Sequence, residues 1–118
     1  MRTIKFRGKD VETGKWIYGY LGDGNLICDW NNNNRHSFEV KATTVGEFTG
    51  LTDKNGNKIY EGDIIKIDDE GVVLKPKVVD FLSGKFCAGE WTLTYYGEDN
   101  IEVIGNIHDN PELLKNND

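Results

Sequence analysis

Residues 60–67 read Tyr-Glu-Gly-Asp-Ile-Ile-Lys-Ile, and the prediction of the fold begins with this stretch. Gly62 permits a tight corner, because glycine has no Cβ to restrict its backbone. Asp63 follows at a strand start, where a carboxylate can accept backbone N–H bonds from the preceding turn. The pattern therefore predicts a structural corner followed by a strand. The corner residues are Tyr60, Glu61, Gly62 and Asp63, and the strand anchors are Ile64, Ile65 and Ile67.

Strand-like runs continue on the amino-terminal side, separated by turn signals at close spacing. Ile4 and Phe6 alternate with Lys5 and Arg7, which predicts a first strand with one wet face. Two further runs flank a Gly-Asp-Gly turn and should pair as an antiparallel hairpin. The polar run that follows them is predicted to be a mobile surface loop. The two hairpin runs are residues 16–21 and 25–30, and the loop is residues 31–34.

The carboxy-terminal side is predicted to hold more strands and one short helix. Residues 72–82 form one extended segment, in which Pro76 indicates an edge or a bulge because it cannot donate to a ladder. Residues 91–95 and 101–104 are predicted strands. Asn110 offers an N-cap and Pro111 the first helical position, so a short terminal helix is expected over residues 110–115.

The composition favours a small all-β domain. The chain has 118 residues, 37% of them apolar, with only two alanines and with 14 glycines. One domain of this size is enough for a core without disulfides or metals. No run approaches the roughly 18 apolar residues of a membrane helix, and the first residues lack the apolar run of a signal peptide. We expect a cytoplasmic protein in which Cys28 and Cys87 are buried thiols.

Charge is unevenly distributed along the chain. Residues 1–59 carry nine Lys or Arg against seven acids, net +2, whereas residues 60–118 carry five against thirteen, net -8. Such an asymmetry is typical either of a solvated acidic face or of contact between unlike parts. Alternating strands also leave edges that proteins cover or pair. We therefore expect a homo-oligomer.

Metal and cofactor chemistry finds little support in the sequence. Asp53, Asn55 and Asn57 imitate the first ligands of a calcium loop, but the sixth position is Lys58 and the twelfth is Ile64. The same residues suit a turn. The two His and two Cys lack zinc-ligand spacing, and no phosphate-binding glycine motif is present. No cofactor and no metal are expected.

Catalysis by a nucleophile or by carboxylates is also weakly supported. Neither Ser37 nor Ser83 stands in a Gly-x-Ser-x-Gly motif. Asp63, Asp68 and Asp69 could in principle serve a metal-dependent hydrolase, but the last two fall in a predicted turn, where solvated carboxylates are ordinary. No catalytic residue is assigned, and the carboxylate hydrolase is the third and weakest hypothesis.

An aromatic stripe is the candidate binding surface. Trp16, Tyr18 and Tyr20 alternate along one predicted strand, close to Lys15. Small β-barrels bind single-stranded nucleic acid by stacking bases on such rings. The acidic balance, with a net charge of -6, opposes binding of a polyanion. Three interpretations stay open: a core, a subunit interface or a ligand platform.

Three blocks together resemble the YopX family of phage and prophage proteins. They are residues 4–8 (Ile-Lys-Phe-Arg-Gly), residues 49–66 and residues 101–114, in that order along the chain. The resemblance implies a small β-rich phage protein of Gram-positive bacteria, with no established activity and no catalytic residues to transfer. Its closing block adds Gly105, Asn106, Asn110 and Pro111 to the structural motif.

The central block is also similar to the opening of small Src-homology-3-like barrels. It implies one YopX-like domain over residues 1–118, with strands of residues 1–48 packing against a small barrel of residues 49–107. The expected function is non-enzymatic, through binding of a host or phage protein and self-association. The alternative is a nucleic-acid-binding small barrel. No membrane partner is expected.

Overall fold

The computed structural model describes residues 5–31 and 34–115 of the chain. Strands dominate, and each described helix is a single 3₁₀ turn, which confirms the predicted all-β class. The chain forms two compact units, residues 1–48 and 49–118. None of the described helices has the length and apolar character needed to cross a membrane.

The strands are numbered in chain order. They are β1 (Phe6–Lys9), β2 (Trp16–Leu21), β3 (Leu26–Asn31), β4 (Asn34–Glu39), β5 (Gly46–Thr52), β6 (Lys58–Tyr60), β7 (Asp63–Asp69), β8 (Val72–Val73), β9 (Lys77–Leu82), β10 (Lys85–Ala88), β11 (Trp91–Thr92) and β12 (Ile101–Asn106). Short 3₁₀ turns occupy Ala42–Thr44, Leu93–Tyr95, Glu98–Asn100 and Pro111–Leu114.

The first unit is an antiparallel sheet with the strand order β4-β3-β2-β1-β5. The predicted first strand is present as β1, and Ile4 lies outside the described residues. β2 and β3 form the predicted hairpin, with Tyr20 opposite Cys28 and Leu21 opposite Ile27. Because side chains alternate across a strand, each strand presents one face to the core and one outward.

The core face of this unit is built around Ile27 and Val40, which are fully buried. Gly8 allows them to pack, because a Cβ at this position would lie 2.7 Å from Cγ2 of Val40 and 3.2 Å from Cδ1 of Ile27. Gly8 stands opposite Ile17 in the β1–β2 ladder. Tyr18, which follows Ile17 on β2 and stands opposite Arg7, points to the other face of the sheet.

The second unit combines the end of β5, which pairs with β6, and a sheet with the order β11-β10-β9-β7-β12. Its core consists of Ile59, Ile65, Ile67, Val79, Ala88, Leu93, Tyr96 and Ile101. Ile64 is also fully buried, so the three predicted anchors of the strand after the corner are confirmed. Each isoleucine contributes about 1.5–3 kcal/mol by leaving water.

The predicted loop over residues 31–34 is wrong where the structure describes it. β3 extends to Asn31, β4 begins at Asn34, and these two residues stand opposite each other in the ladder. Residues 32–33 of the predicted loop lie outside the described part. Polarity alone suggested a loop, but a strand with one wet face is equally polar.

Three further predictions on the carboxy-terminal side need correction. The extended segment 72–82 is interrupted, because β8 pairs back onto β7 and β9 begins only at Lys77, after Pro76. The predicted strand 91–95 is a two-residue strand followed by a 3₁₀ turn. The terminal segment is the 3₁₀ turn Pro111–Leu114, and the Asn110 side chain does not cap it.

Candidate functional site

Tyr18 and Tyr20 form an exposed aromatic pair on β2. Period-two alternation places them on one face of the strand with Trp16. Tyr18 is 43% exposed and Tyr20 is 52% exposed, whereas Trp16 is half-buried. The two tyrosines therefore offer open ring surface to a ligand, and neither belongs to the core.

Basic side chains cover Trp16. The β1–β2 register puts Arg7 opposite Tyr18 and Lys9 opposite Trp16. The Cζ atom of Arg7 lies 4.6 Å from the Trp16 ring centroid, and the Nζ atom of Lys9 lies 5.5 Å from it. Both distances are typical of cation–π contacts, each of which contributes about 0.5–2 kcal/mol. The three predicted aromatics thus differ, since cations already occupy part of the surface of Trp16.

A cleft of about 440 Å³ opens beside β2. The β2–β3 register comprises two pairs, Tyr20 with Cys28 and Leu21 with Ile27, so the pairing does not reach the start of β2. On its other side, β3 pairs with β4 from Leu26 to Asn31. The cleft is lined by Lys5, Trp16, Ile17, Tyr18, Gly19, Tyr20, Asp29 and Phe38.

Gly19 determines how closely β2 and β3 approach at the end of this cleft. A Cβ at position 19 would lie 2.1 Å from the backbone oxygen of Cys28. That distance is far inside van der Waals contact, and a backbone oxygen cannot rotate away as a side chain can. Position 19 therefore requires glycine. Nothing in the sequence predicts this role, because the constraint is a contact between two strands.

The chemistry of the cleft suits binding. Its walls combine aromatic and aliphatic surface with one cation, Lys5, and one anion, Asp29. Ligand pockets commonly have this composition, in which few polar groups orient an otherwise apolar ligand. Among the described residues, no group of three or more His, Cys, Asp or Glu side chains could hold a metal ion.

The corner residues of the central block build a structural junction. Asp63 is buried, with 2% of the residue exposed. Its Oδ2 atom accepts the backbone N–H of Tyr60 at 2.8 Å. Gly62 has φ of 93°, a left-handed conformation that favours glycine. Its N–H donates to the oxygen of Val79 at 2.8 Å. Glu61 is half-buried within the same corner.

The closing block lies directly against this corner. Asn106 stands opposite Asp63 in the β7–β12 ladder, and the Ile107 N–H donates to the oxygen of Gly62 at 3.0 Å. The Oδ1 atom of Asn110 accepts the Asn106 N–H at 3.3 Å, so the side chain bonds back to β12, and it makes no capping bond to the turn that begins at Pro111. A Cβ at Gly105 would lie 2.6 Å from that Oδ1 atom.

The carboxylates of the third hypothesis do not converge. Asp63 begins β7 and Asp69 ends it, so a strand rise of about 3.3 Å per residue separates their backbones by roughly 20 Å. Asp68 accepts the Gly71 N–H at 2.8 Å, as a turn residue does. The arrangement gives no pair of acids around one reacting atom.

Asp53 is engaged in its turn. Its Oδ1 atom accepts the N–H groups of Asn55 and Asn57 at 2.9 and 2.8 Å, and its Oδ2 atom accepts the Val103 N–H at 2.9 Å. Burial raises the pKa of this carboxyl, but the hydrogen bonds from Val103, Asn57 and Asn55 outweigh burial, so its pKa lies below the ordinary value. This residue links the turn to β12.

A second group of aromatics, in and directly after the predicted strand 91–95, lies in the second unit. The rings of Trp91 and Tyr95 stack at 4.7 Å with an interplanar angle of 19°, and Tyr96 meets Tyr95 edge-on at 5.2 Å. The signal in the sequence was three aromatics within six residues, next to Glu90. A continuous strand would place Trp91 and Tyr95 on one face about 13 Å apart and Tyr96 on the other face, whereas the 3₁₀ turn Leu93–Tyr95 brings the three rings together.

Comparison with known proteins identifies the family. The structure is similar to the crystal structure of protein EF1440 from Enterococcus faecalis, with a TM-score of 0.62 and 25% sequence identity over 98% of this chain and 100% of that chain. A search of curated proteins gives no match. The family described as YopX protein matches residues 5–115. The residues it spans include the cleft, the corner and the closing block, and the chain belongs to the YopX family.

Proposed function

We propose that this protein is a non-enzymatic, phage-encoded binding protein of the bacterial cytoplasm, which holds an extended segment of a host or phage protein. The observation that carries the proposal is the cleft of about 440 Å³ beside β2, flanked by the exposed rings of Tyr18 and Tyr20. Extended segments that lie along a strand are a common mode of peptide recognition. Exposed tyrosines are frequent anchors at protein interfaces.

The test is affinity capture from a bacterial host lysate, read by mass spectrometry, followed by titration of the captured partner. The double variant Tyr18→Ala/Tyr20→Ala should lose at least about tenfold in affinity, because buried aromatic anchors carry much of an interface. Phe81→Ala removes an equally exposed aromatic from the second unit and serves as the control. A partner that binds the double variant and the wild type equally would exclude the cleft.

The separation of the acids supports the absence of catalysis. Asp63 is buried at one end of β7, and Asp68 and Asp69 lie at the other end. Purified protein should not turn over phosphoester, peptide or glycosidic substrates. A turnover that disappears in Asp63→Asn would overturn this part of the proposal.

Nucleic-acid binding is the second candidate, because Arg7 and Lys9 stand opposite Tyr18 and Trp16 in the β1–β2 ladder and Lys5 lines the cleft beside them. The net charge of -6 opposes it, since phosphate neutralisation supplies most non-specific affinity. Titration with a single-stranded oligonucleotide at low salt decides between the candidates. Tryptophan fluorescence that stays flat removes this one.

We extend the proposal to the architecture. Residues 49–107 are proposed to be a small barrel of the Src-homology-3-like kind, packed against the strands of residues 1–48 in one domain, with self-association through unlike charges. The corner at Gly62 and the buried strand after it support the barrel. The opposite net charges of residues 1–59 and 60–118 support the association.

A further inference from the structure

A second cavity, of about 490 Å³, lies within the second unit and is distinct from the cleft beside β2. Its size falls within the range of ligand pockets, about 300–1,000 Å³. The side chains that give it chemical character are Asp69, Lys77, Glu90, Trp91, Tyr95 and Tyr96. They come from β7, β9 and the segment that follows β10.

Aromatic rings form one wall of the cavity in two orientations. Trp91 and Tyr95 stack nearly parallel, and Tyr96 stands at 90° to Tyr95. Trp91 is 52% exposed and Tyr95 is 61% exposed, whereas Tyr96 is buried. The open ring surface of the cavity is therefore that of Trp91 and Tyr95, and an exposed Trp or Tyr face attracts a cation placed over it.

Carboxylates direct a negative field into the same volume. Burial raises the pKa of the Tyr96 phenol, and Asp69, Tyr95 and Glu90 raise it further. The charges of Asp69 and Glu90 are therefore felt at one point of the cavity wall. Lys77 supplies the one positive charge among the lining side chains, and its Nζ atom lies beside Gly89, 3.3 Å from where a Cβ would stand.

We propose that this cavity binds the guanidinium group of an arginine on a partner protein. A flat cation stacks on Trp and Tyr faces and bonds carboxylates through its N–H donors. Two carboxylates against one lysine leave the site net negative, and residues 60–118 carry net -8. The occupant is thus complementary in charge, and this site does not depend on the cleft beside β2.

Titration of the full chain with short peptides, followed by NMR of the Trp91 indole N–H, tests the proposal. One peptide carries a central arginine, and its match carries citrulline, which keeps the shape and removes the charge. The arginine peptide should shift the indole signal and bind at least about fivefold more tightly than the citrulline peptide, as a cation–π site requires. Equal binding of the two peptides, or no binding of either, overturns the proposal.

Two sets of variants locate the site. Asp69→Asn/Glu90→Gln and Tyr95→Ala should each weaken the arginine peptide by about fivefold or more. Asp80→Asn/Glu112→Gln makes the same change in net charge at exposed residues outside the cavity and should leave binding unchanged. Tyr20→Ala should also leave it unchanged, which separates this site from the cleft. A loss in the control pair equal to that in the site pair would show a general charge effect and overturn the assignment.

A trimethyl-lysine peptide completes the test. A trimethylammonium ion has no N–H donor and so can use only the ring faces and its charge, whereas guanidinium also donates hydrogen bonds to the carboxylates. The arginine peptide should therefore bind more tightly. Tighter binding of trimethyl-lysine would overturn the guanidinium assignment. Thermal unfolding of each variant establishes that it is folded before it is titrated.

Discussion

At the scale of single residues, the Asp53 carboxylate joins a turn to a strand. It accepts N–H groups from Asn55, Asn57 and Val103 while it is 4% exposed. Asp53→Asn replaces one acceptor oxygen with a donor amide, which would face an N–H group. We expect the free energy of unfolding to fall by about 1–3 kcal/mol. Urea unfolding measures it, with Asp80→Asn at an exposed position as the control.

The same carboxylate predicts a pH dependence. Burial raises the pKa of Asp53, yet its hydrogen bonds lower it more, so the folded-state pKa lies below the unfolded one. The stabilisation is therefore complete above the unfolded pKa and is lost as the pH falls through the lowered folded pKa. The advantage of the wild type over Asp53→Asn should shrink in acid. An advantage that stays constant down to about pH 2 would contradict this.

Gly19 is a test of close approach between strands. Gly19→Ala places a Cβ 2.1 Å from the Cys28 oxygen, so the backbone must move. We expect a loss of about 1–3 kcal/mol in the free energy of unfolding. Gly22→Ala is the matched control, because its Cβ would meet the flexible Cys28 Sγ atom at 3.3 Å. Equal stability of the two variants would mean that β2 and β3 separate freely.

At the scale of elements, the end of β12 is held by Asn106. Its Oδ1 atom accepts the N–H groups of His108 and Asp109 at 3.0 and 2.9 Å. Asn106→Ala leaves both without this acceptor, so amide hydrogen exchange at these two residues should accelerate by about tenfold, the equivalent of one hydrogen bond. Asn55→Ala, in an exposed turn, should leave these two amides unchanged. Unaltered exchange in Asn106→Ala would contradict the assignment.

The elements also show what the sequence could predict. Alternation and a Gly-Asp-Gly turn were sufficient for the β2–β3 hairpin, because both signals are local. The β3–β4 pairing was missed, because Asn31 and Asn34 have the composition of a loop. The turn after Asp68 was predicted, but the return of β8 onto β7 depends on pairing that composition does not encode.

In the candidate site, too, the local pattern of residues could be predicted from the sequence, and the features that depend on strand pairing could not. Tyr18 and Tyr20 were predictable, since alternation places aromatics on one face. The cleft beside them was not, because it depends on where the β2–β3 ladder stops. The cavity at Trp91 was hidden by a 3₁₀ turn in a run that looks like a strand.

At the scale of the whole molecule, we predict self-association that depends on salt. Residues 1–59 carry net +2 and residues 60–118 carry net -8, so copies can meet through unlike charges. Light scattering at low salt should give a mass above the 13.4 kDa of one chain. The mass should fall as the salt rises past about 0.15 M, where the Debye length is about 8 Å. A monomer at high concentration and low salt would exclude the association.

Each of the two units contains one free cysteine, so the reactivity of each thiol measures the accessibility of its own unit. The predicted burial of the thiols is confirmed for Cys87 on β10 and is wrong for Cys28 on β3, which is partly accessible, with its Sγ atom 3.3 Å from the Ser37 hydroxyl. A thiol reagent added to the native protein should thus modify Cys28 well before Cys87. A fluorophore attached at Cys28 would lie across from Tyr20, so its emission should change when the neighbouring cleft is occupied. Cys87 should react only when the second unit unfolds locally.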